Sequence, residues 1–523
     1  MSLRIRTLKL KGIRQFRDVT FDFTDPNTGM PLDRICLIGG NGTGKSTILR
    51  LLASDKILGV PSAIPRWTAK LGTNASMSID FENSGSTACL YGNPNQPKWG
   101  SRENPLAAIG DKELEQPIPL GNSEEQKQWI TRLLELVTVY CPPDSELAPN
   151  SSSITDLPSA NLNKALAFLK APPTKFMVGQ DKVADFWKLL IALIKDREAR
   201  LIAYNRRPEN QHRTISEVET EFLAQNPDIL KELAAFWDPI LIKAGLRFDY
   251  EKASQPVQLT DNLKAYIYLA AENAVLPYAE LSTGIRGFLF RLGHLLTIFR
   301  FHREKGGVVL IDEPENSLYP DFLFDLLAHY HRAAPGAQMF FATHSPIVAA
   351  QFKPEERFIL EFDPDRGVVV RRGVTPEGDD PNDVLLKDFA VRTLYGEKGL
   401  VSWNRFRELS RIIETESDPK KRKELLKEYL ELGRTYNFDP HNELSAQTRN
   451  LIDFLGVNKQ EVFEERSNHI ERMRGIQRKF GNQVLIEILS ESPEDLSFPT
   501  AIEAELGIPA FDLIDRHLTT DEA

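Results

Sequence analysis

Three short apolar runs are the clearest hydrophobic pattern in the chain. They cover residues 34–38, 307–311 and 338–342. Continuous apolar runs of this length are typical of strands that are buried on both faces. Each run ends in glycine, acidic or hydroxyl residues, so we expect three buried strands that each end at residues able to do chemistry.

Apolar residues recur at helical spacing through much of the remaining chain. Residues 46–52 form one such pattern directly after the first run, and the loop at 92–100 is too rich in proline, asparagine and glycine for regular structure. Further helices are predicted at 123–140, 160–170, 181–206, 215–245 and 261–272. No heptad pattern persists there, which predicts a compact lobe rather than a long coiled coil. Trp129 and Trp237 are interpreted as core residues of this lobe.

The C-terminal part begins with a polar loop at 375–382 and continues as amphipathic helices. The patterns together predict four parts: an N-terminal block at 1–92, an all-helical insertion at 93–274, a second block at 275–372 and a helical C-terminal region at 373–523.

The first apolar run leads into a match to G-x-x-x-x-G-K-[ST], namely Gly39-Gly40-Asn41-Gly42-Thr43-Gly44-Lys45-Ser46. A phosphate-binding loop has to leave a buried strand and open a helix, and both are predicted here. Lys45 can reach the terminal phosphates, and the Ser46 hydroxyl is a ligand for Mg²⁺. The motif predicts a nucleoside triphosphate site that contains Gly39, Asn41, Gly42, Thr43, Gly44, Lys45, Ser46 and Thr47.

Two acids and a histidine follow the other two runs. Asp312 would hold Mg²⁺ through water, and Glu313 would orient and polarise the water that attacks the γ-phosphate. His344 would sense the γ-phosphate and hold that water. Taken singly, each acid could be a solvated loop carboxylate and His344 a core histidine. Their order, each at a strand end, favours the catalytic interpretation.

A fourth element, Leu281-Ser282-Thr283-Gly284-Ile285-Arg286, opens a long apolar-periodic helix at about 284–305. Its Ser-x-Gly turn can present N–H groups and a hydroxyl to an anion. With this element, the motif order resembles that of the ABC-type ATPases, most closely the branch that includes SMC, RecF and the OLD-family ATPases. Residues 3–17 also resemble that branch's first strand and its turn near the nucleotide. Residues 312–320 resemble its Walker B and D-loop run, and residues 342–346 resemble the segment with its switch histidine.

The resemblance implies an α/β fold: a P-loop ABC-type ATPase head, with a mixed sheet flanked by helices, an all-helical insertion and a helical C-terminal region. It implies ATP and Mg²⁺ as cofactors and hydrolysis of ATP to ADP and phosphate. In that family the Leu-Ser-x-Gly signature faces the P-loop of a second subunit. Ser282 and Gly284 would therefore complete a partner's site in a homodimer, or a higher even oligomer, with ATP sandwiched between the heads.

The sequence departs from the family pattern in two places. Thr283 and Ile285 replace the second glycine and the following Gln or Glu of the transporter-type signature. No Q-loop glutamine can be assigned, because Gln96, which follows a predicted strand pair at 78–91, lies in the breaker-rich loop.

Composition and charge indicate a cytoplasmic protein. The chain has 523 residues and three cysteines without a C-x-x-C pair, which gives no sign of disulfides or zinc. No apolar run approaches the ~20 residues of a membrane span, and the first residues predict a strand rather than a signal peptide. The net charge of −10 gives no whole-chain attraction to nucleic acid. The best local candidate for nucleic-acid contact is the basic segment Arg466–Lys479, with a solvated helix face as the alternative.

The remaining expectations concern biological role. Residues 378–385 resemble a segment that follows the ATPase core in stand-alone ATPases of bacterial anti-phage systems, including retron- and Septu-associated ones. Residues 484–487 lack the glycine of a Toprim nuclease, and His441 lacks the partners of an HNH motif. We therefore expect the sensor or regulatory subunit of a prokaryotic anti-phage defence system that controls a separately encoded effector nuclease. A RecF-like repair or recombination ATPase that clamps DNA directly stays open as an alternative, as does an ATP-dependent nuclease in one chain.

Overall fold

The three apolar runs form neighbouring parallel strands in the computed structural model of the chain. The structure describes residues 3–60, 71, 74–101, 118–119, 124–143, 173–179, 183–226, 228–248, 267–269, 275–276, 281–302, 306–391, 394–436, 438 and 470–490. These residues divide into two compact units, which belong to Met1–Phe389 and Ala390–Ala523. The predicted boundaries after residues 92, 274 and 372 stay predictions.

The first unit contains sixteen strands within its described residues. They are β1 (Arg4–Ile13), β2 (Phe16–Asp22), β3 (Arg34–Gly39), β4 (Ser76–Asn83), β5 (Ser86–Gly92), β6 (Lys98–Ser101), β7 (Ile118–Pro119), β8 (Val137–Cys141), β9 (Lys175–Met177), β10 (Leu246–Phe248), β11 (Ile267–Leu269), β12 (Val275–Leu276), β13 (Gly307–Asp312), β14 (Gln338–Ala342), β15 (Arg357–Asp363) and β16 (Gly367–Arg372).

Helices flank these strands and make up the described part of the second unit. They are α1 (Lys45–Ala53), α2 (Glu124–Glu135), α3 (Val183–Asn205), α4 (Ile215–Gln225), α5 (Ile229–Lys243), α6 (Thr283–Phe301), α7 (Pro320–Leu323), α8 (Leu326–Ala333), α9 (Pro346–Ala349), α10 (Pro381–Lys387), α11 (Glu397–Thr415), α12 (Pro419–Tyr436), α13 (470–480) and α14 (Asn482–Ser490), with short 3₁₀ turns at Pro208–Asn210 and Pro354–Glu356.

Thirteen of the described strands form one mixed sheet in the order β7-β6-β5-β4-β1-β2-β16-β15-β3-β14-β13-β8-β9. The strands from β15 to β9 run parallel, and the others pair antiparallel. The centre is apolar because β13 and β14 are buried at every position. This mixed sheet flanked by helices confirms the predicted α/β fold class. The carboxyl ends of β3, β13 and β14 lie at one edge, where α/β proteins bind ligands.

The segment 93–274 is not all-helical, which corrects the prediction. The helix predicted at 123–140 ends at Glu135, and the next residues form β8, which pairs in parallel with β13. The reason is that Val137-Thr138-Val139-Tyr140-Cys141 is β-branched and aromatic, and all five residues are buried between neighbouring layers. The same segment contributes β9, β10 and β11, of which β11 lies inside the helix predicted at 261–272.

Other expectations for the insertion are met. Helices α3, α4 and α5 occupy the ranges predicted at 181–206 and 215–245. Trp129 and Trp237 are buried, as expected for core residues. The helix predicted at 160–170 lies outside the described residues. Among the helices that the structure describes, none combines the length and apolar character that a membrane crossing needs.

The second unit is helical in its described residues, as predicted, and it buries part of the basic segment. Its core contains Trp403, Phe406, Leu430, Met473 and Leu485. Arg472 is only 1% exposed and donates a hydrogen bond to the Phe438 carbonyl oxygen. Two further cations of the segment are paired, Arg474 with Glu471 and Lys479 with Glu414. Nucleic-acid contact and a solvated helix face both require exposed cations in the segment 466–479. This expectation is wrong for Arg472, because its side chain is buried within the second unit.

A buried ion pair fastens the end of the first unit to its sheet. Arg357 Nη1 lies 2.7 Å from Asp388 Oδ2, and both side chains are fully buried. Thr375 Oγ1 donates to the same oxygen at 2.7 Å, and the Val374 N–H donates to Asp388 Oδ1 at 2.9 Å. Asp388 therefore joins β15 to the chain that leads out of the sheet.

We expect Asp388→Ala to destabilise the first unit by about 3–5 kcal/mol, because it leaves the Arg357 guanidinium buried without its counter-charge. Asp196→Ala is the matched control, since the Asp196–Arg200 pair is largely exposed and its loss costs less than about 1 kcal/mol. Urea denaturation followed by tryptophan fluorescence measures both. Equal midpoints for the two variants would contradict the assigned role of the buried pair.

Candidate functional site

The loop between β3 and α1 has the backbone of a phosphate cradle. Gly39, Gly42 and Gly44 adopt φ values of 149°, 81° and 103°, which side chains disfavour. A Cβ at Gly44 would overlap the Gln15 amide and the Phe16 ring, so the β1–β2 turn lies directly against the loop. The cradle thus depends on a turn that precedes it in the chain, and glycine at position 44 leaves room for the Gln15 and Phe16 side chains.

Lys45 lies folded over this loop. Its Nζ donates to the carbonyl oxygens of Gly39 at 2.8 Å and Gly40 at 3.2 Å. Burial lowers the pKa of Lys45 to about 8, against the opposing effect of Asp312 and nearby glutamates. Thr43 Oγ1 donates to the Gly40 carbonyl at 2.9 Å and braces the turn.

The other predicted loop residues divide by exposure. Asn41 and Gly42 are exposed at the tip of the loop, where a ligand can reach their N–H groups. Thr47 is buried, and its hydroxyl accepts a hydrogen bond from Arg14 Nη1 at 3.3 Å. Thr47 therefore ties α1 to the β1–β2 turn, and Arg14 and Gln15 of that turn border the site.

Ser46 and Asp312 are brought together across 266 residues of chain. Ser46 Oγ donates to Asp312 Oδ1 at 3.0 Å, at the amino end of α1 and the carboxyl end of β13. Asp312 is 1% exposed, and burial raises its pKa to about 6 although Ser46 donates to it. Its Oδ2 atom is buried without a hydrogen-bond partner among the described residues.

These two residues fit Mg²⁺, which proteins usually bind through one or two carboxylates together with phosphate oxygens and water. The unsatisfied Asp312 Oδ2 is an oxygen ligand of the kind that Mg²⁺ prefers. Within the described residues, no group of three or more His, Cys, Asp or Glu side chains forms a metal site by itself. The protein would supply Ser46 and Asp312, and the triphosphate would supply further oxygens.

The segment after β13 is held in an unusual conformation. Glu313 has φ of 48° and Ser317 has φ of 60°, both in the left-handed region that non-glycine residues seldom adopt. The Glu313 N–H donates to the Ala342 carbonyl at the end of β14 at 2.9 Å. This contact holds Glu313 at the same sheet edge as Asp312.

His344 is positioned by a glutamate that the sequence analysis did not assign. The His344 N–H donates to Glu315 Oε1 at 2.7 Å, and Glu315 is largely buried, which raises its pKa. Partial burial lowers the pKa of His344, and the Lys45 cation lowers it further. A neutral imidazole near the phosphates can accept a proton or a hydrogen bond. Glu315 lies in the run 312–320 that resembles a Walker B and D-loop segment, but that resemblance gave it no role of its own.

The Ser282–Gly284 element lies against the same segment of its own chain. Ser282 is exposed and caps α6, with its Oγ accepting from the Ile285 N–H at 3.4 Å. Gly284 is buried, and a Cβ there would overlap the Ser317 carbonyl oxygen. The start of α6 therefore packs on the loop that leads out of Glu313. Gln96, by contrast, follows β5, and five strands separate β5 from β3 in the sheet order.

We expect Gly284→Ala to push the Ser317 carbonyl away and to displace Glu313, because no flexible side chain can yield at this contact. ATP turnover should fall about 100-fold, as small misplacements of reacting groups do, while nucleotide affinity stays close to wild type. Gly475→Ala is the matched control, since a Cβ at Gly475 meets open space. A variant that keeps wild-type turnover with unchanged thermal stability would contradict the coupling.

Two family models match the chain. A model described as "AAA domain, putative AbiEii toxin, Type IV TA system" matches residues 174–350, and a model described as "AAA domain" matches residues 7–54. None of the curated proteins matches with significance.

Three solved structures align with this chain, and each alignment covers 71% of it. One is an Smc head bound to the C-winged helix domain of ScpA, with 13% identity, 98% of that chain covered and a TM-score of 0.37. Another is an Smc head domain with an extended coiled coil bound to the C-terminal domain of ScpA, derived from Pyrococcus furiosus, with 15% identity, 96% covered and a TM-score of 0.37. The third is the SMC head domain from Thermotoga maritima, with 14% identity, 100% covered and a TM-score of 0.32.

The two AAA-domain matches together enclose every predicted site residue. Residues 7–54 contain the phosphate loop, and residues 174–350 contain Ser282, Gly284, Asp312, Glu313 and His344. The chain is thus similar to AAA domains in two separate segments, which contain the phosphate loop and the other predicted site residues.

Proposed function

We propose that this protein binds ATP with Mg²⁺ and hydrolyses it to ADP and phosphate. The observation that carries the proposal is the 3.0 Å hydrogen bond between Ser46 and Asp312. It joins the end of the phosphate loop to Asp312 at the carboxyl end of β13. P-loop ATPases use this arrangement to hold a metal beside the terminal phosphates. Both partners were candidates for that role from the sequence alone.

The residues divide the chemistry among themselves. Lys45 and the loop N–H groups bind the phosphates and compensate the charge that develops on them. Ser46 and Asp312 would hold Mg²⁺, which supplies further compensation for phosphate charge when bound. Glu313, whose backbone is held at the end of β13, would orient the attacking water and accept its proton. His344, fixed by Glu315 through its backbone, hydrogen bonds near the γ-phosphate.

We infer further that ATP joins two copies of the chain, as a homodimer or a higher even oligomer. Ser282 supports this inference because it is exposed at the amino end of the 19-residue helix α6, where backbone N–H groups and the helix dipole favour a phosphate. Gly284 lies against Ser317 of its own chain, and its predicted place at the partner's nucleotide stays a prediction. In the proposed dimer, Ser282 and the N–H groups beside it would contact the partner's nucleotide.

Glu313→Gln tests the ATPase and the dimer together. The amide keeps the size of the side chain but cannot accept the proton, so turnover should fall about 100- to 10,000-fold while ATP binding persists. We expect the variant to elute as a stable dimer with ATP and Mg²⁺ in size-exclusion chromatography with light scattering. Glu209→Gln is the control, because the Glu209 side chain is exposed and does not belong to the site. Normal turnover by Glu313→Gln would show that another group is the base.

We also propose that this ATPase is the sensor or regulatory subunit of an anti-phage defence system and that it controls a separately encoded effector nuclease. The family description that names a toxin of a type IV TA system supports a role in a system in which this protein acts together with a separately encoded protein. Direct DNA clamping has less support, because Arg472 is buried and Arg474 and Lys479 are paired with carboxylates.

A phage challenge separates these roles. Cells that carry the gene with its neighbouring genes should plate phage less efficiently, and Lys45→Ala should abolish the protection because it removes the phosphate-binding cation. In parallel, duplex DNA should leave the ATPase rate of the purified protein unchanged. Stimulation by DNA with a steep salt dependence, without protection from phage, would favour the RecF-like alternative.

A further inference from the structure

Strand β8 brings the insertion to the metal-binding edge of the sheet. It pairs in parallel with β13, with Tyr140 beside Leu310 and Cys141 beside Ile311. Because side chains alternate along a strand, Leu310 and Asp312 share one face of β13. Tyr140 and Leu310 pack in the same core cluster as Ile48 and Leu52 of α1, so Tyr140 lies on the face that α1 covers.

Two oxygen atoms on this face are buried without a hydrogen-bond partner in the described parts of the chain. One is Asp312 Oδ2, and the other is the hydroxyl of Tyr140, a residue that is 2% exposed. Buried polar atoms of this kind are few in folded proteins, and each calls for an explanation such as a binding role or a bound ion or water. Two of them occur here on adjacent strands at one edge.

The helix α1 carries a cation that acts on both groups. Arg50 stands one helical turn after Ser46 on α1, and the Arg50 charge acts on both Asp312 and Tyr140. The Tyr140 phenol interacts with Arg50, and its O–H can donate to a further acceptor. Ser46 already fixes Oδ1 of Asp312, which leaves Oδ2 as the oxygen that a second donor can orient.

We propose that Arg50 and Tyr140 are positioning residues for Asp312, so that a strand of the 93–274 insertion sets the metal affinity of the nucleotide site. The proposal rests on the proposed function and names two residues that the motifs do not contain. Ser46 holds Oδ1, and a donor from Arg50 or Tyr140 to the unsatisfied Oδ2 would hold the carboxylate at both oxygens. The carboxylate would then keep one rotamer and aim its lone pairs at the metal, as outer-shell partners allow in other metal sites. The insertion thereby acts on the site through Tyr140.

The test compares nucleotide binding with and without metal. Tyr140→Phe removes one hydroxyl and keeps the ring, while Arg50→Gln removes the charge and Arg50→Lys restores it. A fluorescent ATP analogue is titrated in EDTA and then at increasing Mg²⁺ and, separately, Mn²⁺. We expect the half-saturating metal concentration to rise about 10-fold in Tyr140→Phe and Arg50→Gln, with metal-free nucleotide affinity unchanged. Arg50→Lys should recover part of the metal affinity.

Tyr91→Phe and Arg411→Gln are matched controls that remove the same groups elsewhere, and thermal unfolding checks that every variant is folded. Wild-type metal dependence in both Tyr140→Phe and Arg50→Gln would overturn the proposal, as would an equal loss of affinity in EDTA. The readout is binding, so it holds even if the wild-type protein hydrolyses no ATP. Absence of ATP hydrolysis by the wild-type protein would contradict the proposed function, and the metal titration would still decide the positioning role.

Discussion

The site depends on one buried carboxylate. Asp312 sits at the end of a fully buried strand with 1% of its surface exposed. An ionised carboxylate in such a place is costly unless hydrogen bonds and counter-charges compensate it, and the raised pKa of Asp312 expresses that cost. Ser46 supplies a hydrogen bond, and Lys45 and Arg50 supply positive charge. All three belong to α1. The charged form of Asp312 therefore depends on the position of the phosphate loop and of α1 beside β13.

The loop after Asp312 carries a second constraint. Two non-glycine residues, Glu313 and Ser317, have positive φ, and each such residue costs on the order of 1–3 kcal/mol. The conformation persists because neighbours enforce it: the Ala342 carbonyl holds the Glu313 N–H, and the backbone of Gly284 underlies Ser317. A shift at the start of α6 therefore cannot leave Glu313 in place. Strain of this kind gives the loop few alternative conformations.

Local pattern was enough to predict the parts of the site that lie next to one another in sequence. The run at 34–38 leading into Gly39–Ser46 and the run at 307–311 ending in Asp312 both carry their signal within about ten residues. Strand β8 was missed because a five-residue apolar run after a helix is ambiguous, and what makes it a strand is β13, far along the chain. The burial of Arg472 and the Arg357–Asp388 pair could not be predicted from local sequence either, because both depend on which distant elements pack together.

The placement of β8 changes how the insertion can act. A lobe that merely rested on the head could move without disturbing the nucleotide site. Here the inserted segment extends the parallel sheet, and α5 packs on α6 through Trp237, whose Nε1 donates to the Leu289 carbonyl at 3.1 Å. The contact is close, because a Cβ at Gly293 would lie 2.7 Å from the Trp237 ring. The insertion thus contacts both β13, which carries Asp312, and α6, which supports the Glu313 loop. Close-packed elements transmit displacement rather than absorb it. Any ligand that shifts the insertion would therefore act on Asp312 and on the Glu313 loop at once, and by linkage a ligand bound at those residues would act back on it.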